Sequence, residues 1–248
     1  MTRGTLEYAQ SAAVTEGYDD EFAGNTLFEF DRQVLQRHLT RPGLIVDLGC
    51  GTGRLLVHFA RRGFRGLAVD LSLNMLRIVG DKARAENLPI DRLLTNVVEL
   101  DGVRGAVADY CICMFSTLGM IRGRTHRQQT LAHVHRLLKP EGLFVMHVHN
   151  RWSNLLVPGV GRWLLTNWMQ SLRRGEIEAG DKFFDYHDVP QMFLHLFTRR
   201  ELRQSLRQAG LQVIELIPLD TRRRHALRWP WLLGGLRANG WIVVCRRG

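Results

Sequence analysis

Residues Leu44-Ile45-Val46-Asp47-Leu48 run into a loop with glycine at every second position, Gly49-Cys50-Gly51-Thr52-Gly53, after which helical periodicity resumes through Leu55, Leu56 and Phe59. A short, nearly continuous apolar run bounded by turn residues is what a strand buried on both faces looks like, and such strands belong to parallel sheets covered by helices. The glycines permit a tight turn and leave bare backbone beside a helix N-terminus, where amide groups can face a ligand. This strand-loop-helix unit makes an open α/β sheet the expected architecture, with its ligand crevice beyond the carboxyl ends of the strands.

The rest of the chain repeats the unit. Leu27, Phe28, Phe30, Val34, Leu35 and Leu39 predict a helix over 26–39, broken by Arg41-Pro42-Gly43. Gly63 closes the helix from Arg54 to Arg62, Gly66 to Asp70 forms a second strand, a helix runs from about Ser72 to Glu86, and a weaker strand lies around Arg92 to Asn96. A fourth strand is expected at Tyr110 to Phe115, a helix at about His126 to Leu138, a turn at Lys139-Pro140-Glu141-Gly142, and a fifth strand at Leu143 to His149. Thr198 with Glu201 three residues on is a capping box, opening a helix that Gly210 ends, and strands follow at Leu211 to Ile217 and Trp241 to Cys245. The expectation is a Rossmann-like doubly wound sheet of seven strands, mostly parallel with an antiparallel last strand, and helices on both faces. We divide the single domain into N-terminal cap helices at 1–40, a cofactor-binding half at 41–150, an insertion at 151–192 suited to a substrate lid, and a closing helix and strands at 193–248.

At 248 residues the chain can bury one substantial core, and 45% hydrophobic with 23% charged residues excludes disordered and fibrous classes. Cys50, Cys111, Cys113 and Cys245 have neither Cys-x-x-Cys spacing nor disulfide density, so they read as free thiols, without structural zinc or any other metal. Their state fits a reducing, cytoplasmic compartment. The N-terminal region, with Glu7, Glu16, Asp19, Asp20 and Glu21, resembles neither a secretion signal nor a membrane span. A net charge of +10 leaves RNA, anionic lipid and acidic substrates open as partners.

Asp70 ends the second strand about twenty residues after the loop, where a carboxylate can accept hydrogen bonds from both hydroxyls of a ribose. Helix capping, its other possible role, can fall to Ser72 instead. A nicotinamide or flavin fingerprint wants glycine or alanine at the position of Arg54, so the loop disfavours a dinucleotide. Gly-x-Gly-x-Gly preceded by Asp47 suits a ligand with an amino-acid tail, the carboxylate meeting its ammonium and backbone amides its carboxylate.

Val46-Asp47-Leu48-Gly49-Cys50-Gly51-Thr52-Gly53-Arg54 resembles the first motif of class I S-adenosylmethionine-dependent methyltransferases. Val69-Asp70-Leu71-Ser72 through Met75-Leu76, Asp109-Tyr110, and Leu138-Lys139-Pro140-Glu141-Gly142-Leu143 resemble further segments of that superfamily, together covering roughly 40–150. The resemblance implies S-adenosyl-L-methionine as cofactor. It implies Gly49 and Gly51, with Asp47, beside the methionine part, Asp70 on the ribose, and Leu71 and Met75 near the adenine. It further implies Asn96 and Val97 at the third strand's end, with Asn96 accepting through its carbonyl where family members often carry Asp. Met114 and Phe115 are implied near the transferable methyl, and Tyr18 in a segment that closes over the cofactor.

Because the sulfonium already activates the methyl group, alignment and desolvation can supply most of the rate, and no catalytic triad is required. His126, His147 and His149 are the histidines near the strand ends that could act as a base, and the catalytic residue is left open. Met114-Phe115-Ser116-Thr117 departs from the acidic or Asn residue followed by Pro-Pro of amino-methylating nucleic-acid enzymes, and Cys111 and Cys113 read as core. The insertion carries Trp152, Trp163 and Trp168 among Arg151, Arg162, Arg173 and Arg174, and Trp163 to Leu172 reads as an amphipathic helix that lines a pocket, lies on a membrane or packs on the sheet edge. The resulting expectation is methylation of O or N on a small or medium-sized acceptor. An RNA methyltransferase, perhaps for transfer RNA, using Arg222-Arg223-Arg224-His225 to Arg228-Trp229-Pro230-Trp231, is the first alternative, and a non-catalytic S-adenosylmethionine-binding protein the second. Oligomeric state is not read from the sequence.

Overall fold

The computed structural model describes residues 26–153, 155, 157–173, 177–186 and 189–248. Tyr18 and Arg174 lie outside the described residues, as does most of the 1–40 cap. The described elements run α1 (Thr26–His38), β1 (Leu44–Leu48), α2 (Arg54–Ala60), β2 (Arg65–Asp70), α3 (Leu73–Ala85), β3 (Ile90–Leu94), β4 (Ala108–Cys113), α4 (Arg124–Leu137), β5 (Leu138–His149), α5 (Val160–Arg173), β6 (Asp181–Tyr186), β7 (Val189–His195), α6 (Arg199–Gln208), β8 (Leu211–Pro218), α7 (Gly234–Arg237) and β9 (Gly240–Arg247).

Seven strands form one sheet in the order β3-β2-β1-β4-β5-β9-β8. β1 pairs in parallel with β2 and β4, and β5 in parallel with β4, whereas β9 is antiparallel to both β5 and β8. The strand order reverses direction at β1, so β1 and β4 flank the topological switch point where open α/β sheets bind ligands. Alternate residues of the central strands feed two cores. Val46, Leu48, Cys111, Cys113, Phe144 and Met146 pack beneath Leu131 and Val134 of α4 and Leu202 and Leu206 of α6. Ile45, Ala68, Ile112 and Val145 pack on the opposite side against Leu35, Leu56, Phe59 and Val79. Full burial of each large apolar side chain contributes about 1.5–3 kcal/mol, which is what fixes strand register and hence the loops above.

The cysteines are free, and burial raises the Cys111 and Cys113 thiols, consistent with core residues rather than nucleophiles. Thr198 and Glu201 form the expected capping box, each side chain bonding the other's backbone N–H. Two expectations change. The turn at 139–142 is a bulge inside the long β5, where Ala108 pairs with Leu138 but Tyr110 with Leu143, and Glu141 takes φ +64°. Besides α5, the insertion begins an antiparallel two-stranded hairpin, β6 with β7, which runs past residue 192 to His195 and stands apart from the main sheet.

Asp109, part of one motif match, serves the sheet's amino-terminal end. Its carboxylate accepts from Leu44 N at 2.8 Å and from Lys139 Nζ at 2.8 Å, tying β4 to β1 and β5.

Candidate active site

The carboxyl ends of β1 to β5 open onto a cavity of about 430 Å³, within the size range of small-molecule sites. Gly49, Gly51, Asp70, Leu71, Met75, Asn96 and Val97 line one side, Phe115, Ser116 and Thr117 its floor, and Met120, Ile121, His149, Phe184, Met192 and Phe193 the other side.

The glycine loop is shaped by conformations that other residues resist. Gly49 has φ +76°, and a Cβ there would sit 2.5 Å from Thr117 Cγ2, so neither the turn nor the close approach of β4's end tolerates a side chain. Asp70 fixes the loop from the next strand: its Oδ2 accepts from Gly51 N at 2.8 Å and its Oδ1 from Ser72 N at 2.9 Å. Burial raises the Asp70 carboxyl, while amide bonds from Ser72, Gly51 and Leu71 oppose that shift. Ser72 caps α3 by accepting from Met75 N at 3.3 Å, which leaves Asp70 for a ligand. Asn96 uses its Oδ1 to accept from Val98 N at 3.1 Å, holding the post-β3 turn at the cavity edge.

Two residues expected at the cofactor lie off the cavity wall. Asp47 is buried just below the glycine loop, and burial with the neighbouring Asp70 carboxylate pushes its carboxyl up to about 8. Met114 is packed in the core, and the following Phe115 reaches the cavity in its place. Phe115 and Ser116 have φ +55° and +63°, two consecutive left-handed residues costing about 1–3 kcal/mol each. Ser116 Oγ accepts from His149 N at 3.0 Å and Ser116 O from Met120 N at 3.1 Å, so the neighbouring chain holds the strained turn in place.

Of the three histidines considered as bases, only His149 is both on the inner wall and supported by buried groups. Burial, then Arg223, lowers it to about 4 against a raising contribution from Asn239, so the imidazole is neutral at physiological pH and offers a lone pair. His147 is fully buried, off the cavity, and stacked edge-on to His149 with ring centroids 5.0 Å apart. His126 sits at the exposed rim and its Nδ1 meets Arg122 O at 3.0 Å. Behind this wall, Arg223 approaches His147 Nδ1 at 3.3 Å and covers the Phe115 ring at 5.4 Å. Asp31 of α1 is buried without a hydrogen bond to either oxygen, and its carboxyl is raised to about 7 by burial, against the opposing field of Arg223.

The residues of the outer wall were not singled out in the sequence, although Phe184 and Met192 fall in the insertion expected to serve as a lid. Phe184, Met192 and Phe193 come from the β6–β7 hairpin, whose base is held by a buried charge network. The buried His195 ring is held between two carboxylates, Nδ1 at 2.7 Å from Asp181 Oδ1 and Nε2 at 2.7 Å from Glu201 Oε1. Arg127 donates to Glu178 Oε2 at 2.8 Å and Arg151 to Glu201 Oε2 at 3.2 Å. Three acids thus face two arginines and a histidine. Glu178, His195 and Glu201 bring ligand-type atoms within 4.8 Å of one another, but Arg127, Arg151 and Asp181 already engage those atoms, so the cluster is an ion-pair latch. The available signal was the adjacent apolar pairs Phe183-Phe184 and Met192-Phe193, which show neither clean alternation nor the length of a buried strand.

Residues 22–216 match the model of a methyltransferase-domain family. A protein of Geobacillus sp. (strain WCH70) assigned to the methyltransferases is 33% identical over 157 residues, covering 62% of this chain. The chain spans 60% of that relative's length. An S-adenosylmethionine-dependent methyltransferase of Methanosarcina mazei superposes with a TM-score of 0.68 at 17% identity, over 86% of this chain and 96% of the other. A 1,6-didemethyltoxoflavin-N1-methyltransferase of Burkholderia thailandensis, solved with bound 1,6-didemethyltoxoflavin and S-adenosylhomocysteine, gives a TM-score of 0.61 at 20% identity over 95% of this chain and 84% of the other. By its sequence match and its seven-stranded sheet, the chain belongs to the methyltransferase-domain family, within the class I S-adenosylmethionine-dependent methyltransferase superfamily.

Proposed function

We propose that this chain transfers the methyl group of S-adenosyl-L-methionine to an oxygen or nitrogen of a small or medium-sized acceptor with an apolar body. The observation that carries the reading is one cavity with two unlike sides: a bare-backbone and carboxylate side at Gly49, Gly51 and Asp70, and an apolar side at Ile121, Phe184 and Phe193. Side-chain-free backbone at Gly49 and Gly51 lining the cavity beside a ribose-competent carboxylate fits the cofactor. Gly49, Gly51 and Asp47 would hold its methionine part, Asp70 its ribose, and Leu71, Met75, Asn96 and Val97 its adenine; Tyr18 remains a candidate for covering it. When bound, the cofactor supplies an electrophilic methyl.

The chain's contribution is alignment, exclusion of water and handling of one proton. The strained Phe115-Ser116 turn separates the two sides and sets the depth to which an acceptor can enter. Neutral His149 accepts the acceptor's proton as the new bond to carbon forms and the bond to sulfur breaks. The 151–192 insertion closes the outer side as a lid. The free thiols fit a reducing compartment, and we place the protein in the cytoplasm; no helix among the described residues is long and apolar enough to cross a membrane.

The RNA alternative draws on Arg222, Arg224 and the exposed Trp229 and Trp231, but Arg223 turns inward against Phe115 and His147, which divides the arginine triplet. Labelled methyl transfer into cell extract separated into small-molecule and RNA fractions tests the proposal. Label in the small-molecule fraction, reduced about 10²-fold or more in His149→Ala, supports it. Label in RNA favours the alternative, and cofactor binding with no label in either fraction favours a non-catalytic binder.

A further inference from the structure

The insertion helix α5 is amphipathic in the reverse sense. Leu165, Trp168, Met169 and Leu172, spaced i, i+3, i+4 and i+7, share one face and are 56%, 54%, 39% and 70% exposed. The inward face is anchored by a polar side chain: buried Asn167 donates Nδ2–H to Asp181 O at 3.0 Å and accepts from Gly180 N at 2.7 Å. A helix that packs on its own domain does the opposite, so this apolar stripe is presented outward.

A second exposed apolar segment repeats the arrangement. Trp229, Trp231 and Leu233 are 51%, 80% and 63% exposed, and Arg228 lies over the Trp229 ring at 4.3 Å. The fold brings both segments to the cavity end of the sheet. Asn150, just past β5, bonds Gly235 O and Ala238 O at 2.9 and 2.8 Å, and α5 is bonded to the hairpin that supplies the cavity's outer wall.

Charge decides the occupant. Neither 157–173 nor 221–239 contains an acidic residue, while both carry exposed arginines, among them Arg162, Arg173, Arg224 and Arg228. A second copy of the chain docked face to face would set these arginines against each other. An RNA would engage the arginines and stack on tryptophan but leave the leucines in water. A surface offering anionic groups above an apolar layer satisfies both sets, with tryptophan at the boundary between them. We infer that α5 and the 228–236 segment dock this protein onto an anionic lipid surface, with the cavity at the membrane. Resting on the methyltransferase reading, the corollary is that the acceptor is drawn from the lipid phase.

The full chain should float with vesicles of phosphatidylcholine and phosphatidylglycerol, with a blue shift in tryptophan emission, and should not float with phosphatidylcholine alone. Leu165→Gln/Leu172→Gln/Leu233→Gln keeps the net charge and should lower partitioning about tenfold or more, because apolar burial is removed without altering the charge. Raised salt should weaken the wild type. Equal binding by the leucine variant, which would reveal charge attraction alone, overturns the inference. So does self-association that the variant abolishes with no vesicle binding. Affinity for S-adenosylhomocysteine should be the same in wild type and variant, so a failed flotation leaves the cofactor reading intact and a failed titration leaves the docking result intact.

Discussion

The two walls of the cavity are held by different physics. The wall formed by Gly49, Gly51, Asp70 and the end of β3 is backbone, set by strand register over two apolar cores and tied to Asp70 through amide hydrogen bonds of 2.8–2.9 Å. The wall formed by Phe184, Met192 and Phe193 stands on a hairpin outside the main sheet, latched by His195, Asp181, Glu201, Arg127, Arg151 and Glu178. Apolar packing is spread over many contacts, whereas a buried network of carboxylates, arginines and a histidine loses most when one member is removed and its partner is left unpaired. One wall therefore rests on the cores of the main sheet and the other on a buried polar network outside it, so each can be perturbed without removing the support of the other.

Breaking the latch should separate the walls most clearly. His195→Leu leaves Asp181 and Glu201 facing each other in a buried site, at a cost of about 3–5 kcal/mol. At about 2–4 °C per kcal/mol for a chain of this size, differential scanning calorimetry should show a drop of about 10 °C. Affinity for S-adenosylhomocysteine should change less than about twofold, and a collapse of that affinity would show that the walls are one unit.

Asp47 sharpens the comparison from the cofactor side. Its carboxyl is raised to about 8, so between the unfolded value of 3.8 and 8 the folded chain holds a proton that the unfolded chain has lost. That stabilisation is fully present at low pH and is lost as pH rises through 8, at about 1.4 kcal/mol per pH unit within the window. Asp31, raised to about 7, adds a slope of the same sign. Asp47→Asn should therefore flatten the fall in melting temperature between pH 5 and 8, and an unchanged slope would remove Asp47 from the account. An ammonium group arriving beside Asp47 favours its ionised form, so titration of the wild type with S-adenosylhomocysteine at pH 7 should release about one proton, seen as a dependence of apparent enthalpy on buffer ionisation enthalpy. The smallest effect belongs to the latch's supporting helix: Thr198→Ala removes half of the capping box and should cost about 1 kcal/mol in chemical denaturation, with cofactor affinity unchanged.

The contrast also explains what the sequence revealed. Strand-loop-helix units carry period and punctuation within a few residues, so β1, the Gly49–Gly53 loop, Asp70 and the Thr198–Glu201 box were legible locally. Asp47 and Met114 are buried beneath the cavity lining, a depth that strand parity alone does not give. The latch joins positions 127, 151, 178, 181, 195 and 201, whose proximity follows from tertiary folding and leaves no short-range pattern. The reversed face of α5 was likewise invisible, since periodicity gives an apolar stripe but not the direction in which it points.

The central claim is that the Gly49–Gly53 loop and Asp70 form the S-adenosylmethionine site. Calorimetric titration of the wild-type protein and Asp70→Ala with S-adenosylhomocysteine tests it most directly. The account predicts micromolar binding by the wild type, weakened about 10²-fold in the variant through loss of charge-assisted hydrogen bonds. A folded wild type that does not bind, or a variant that binds equally well, would contradict it.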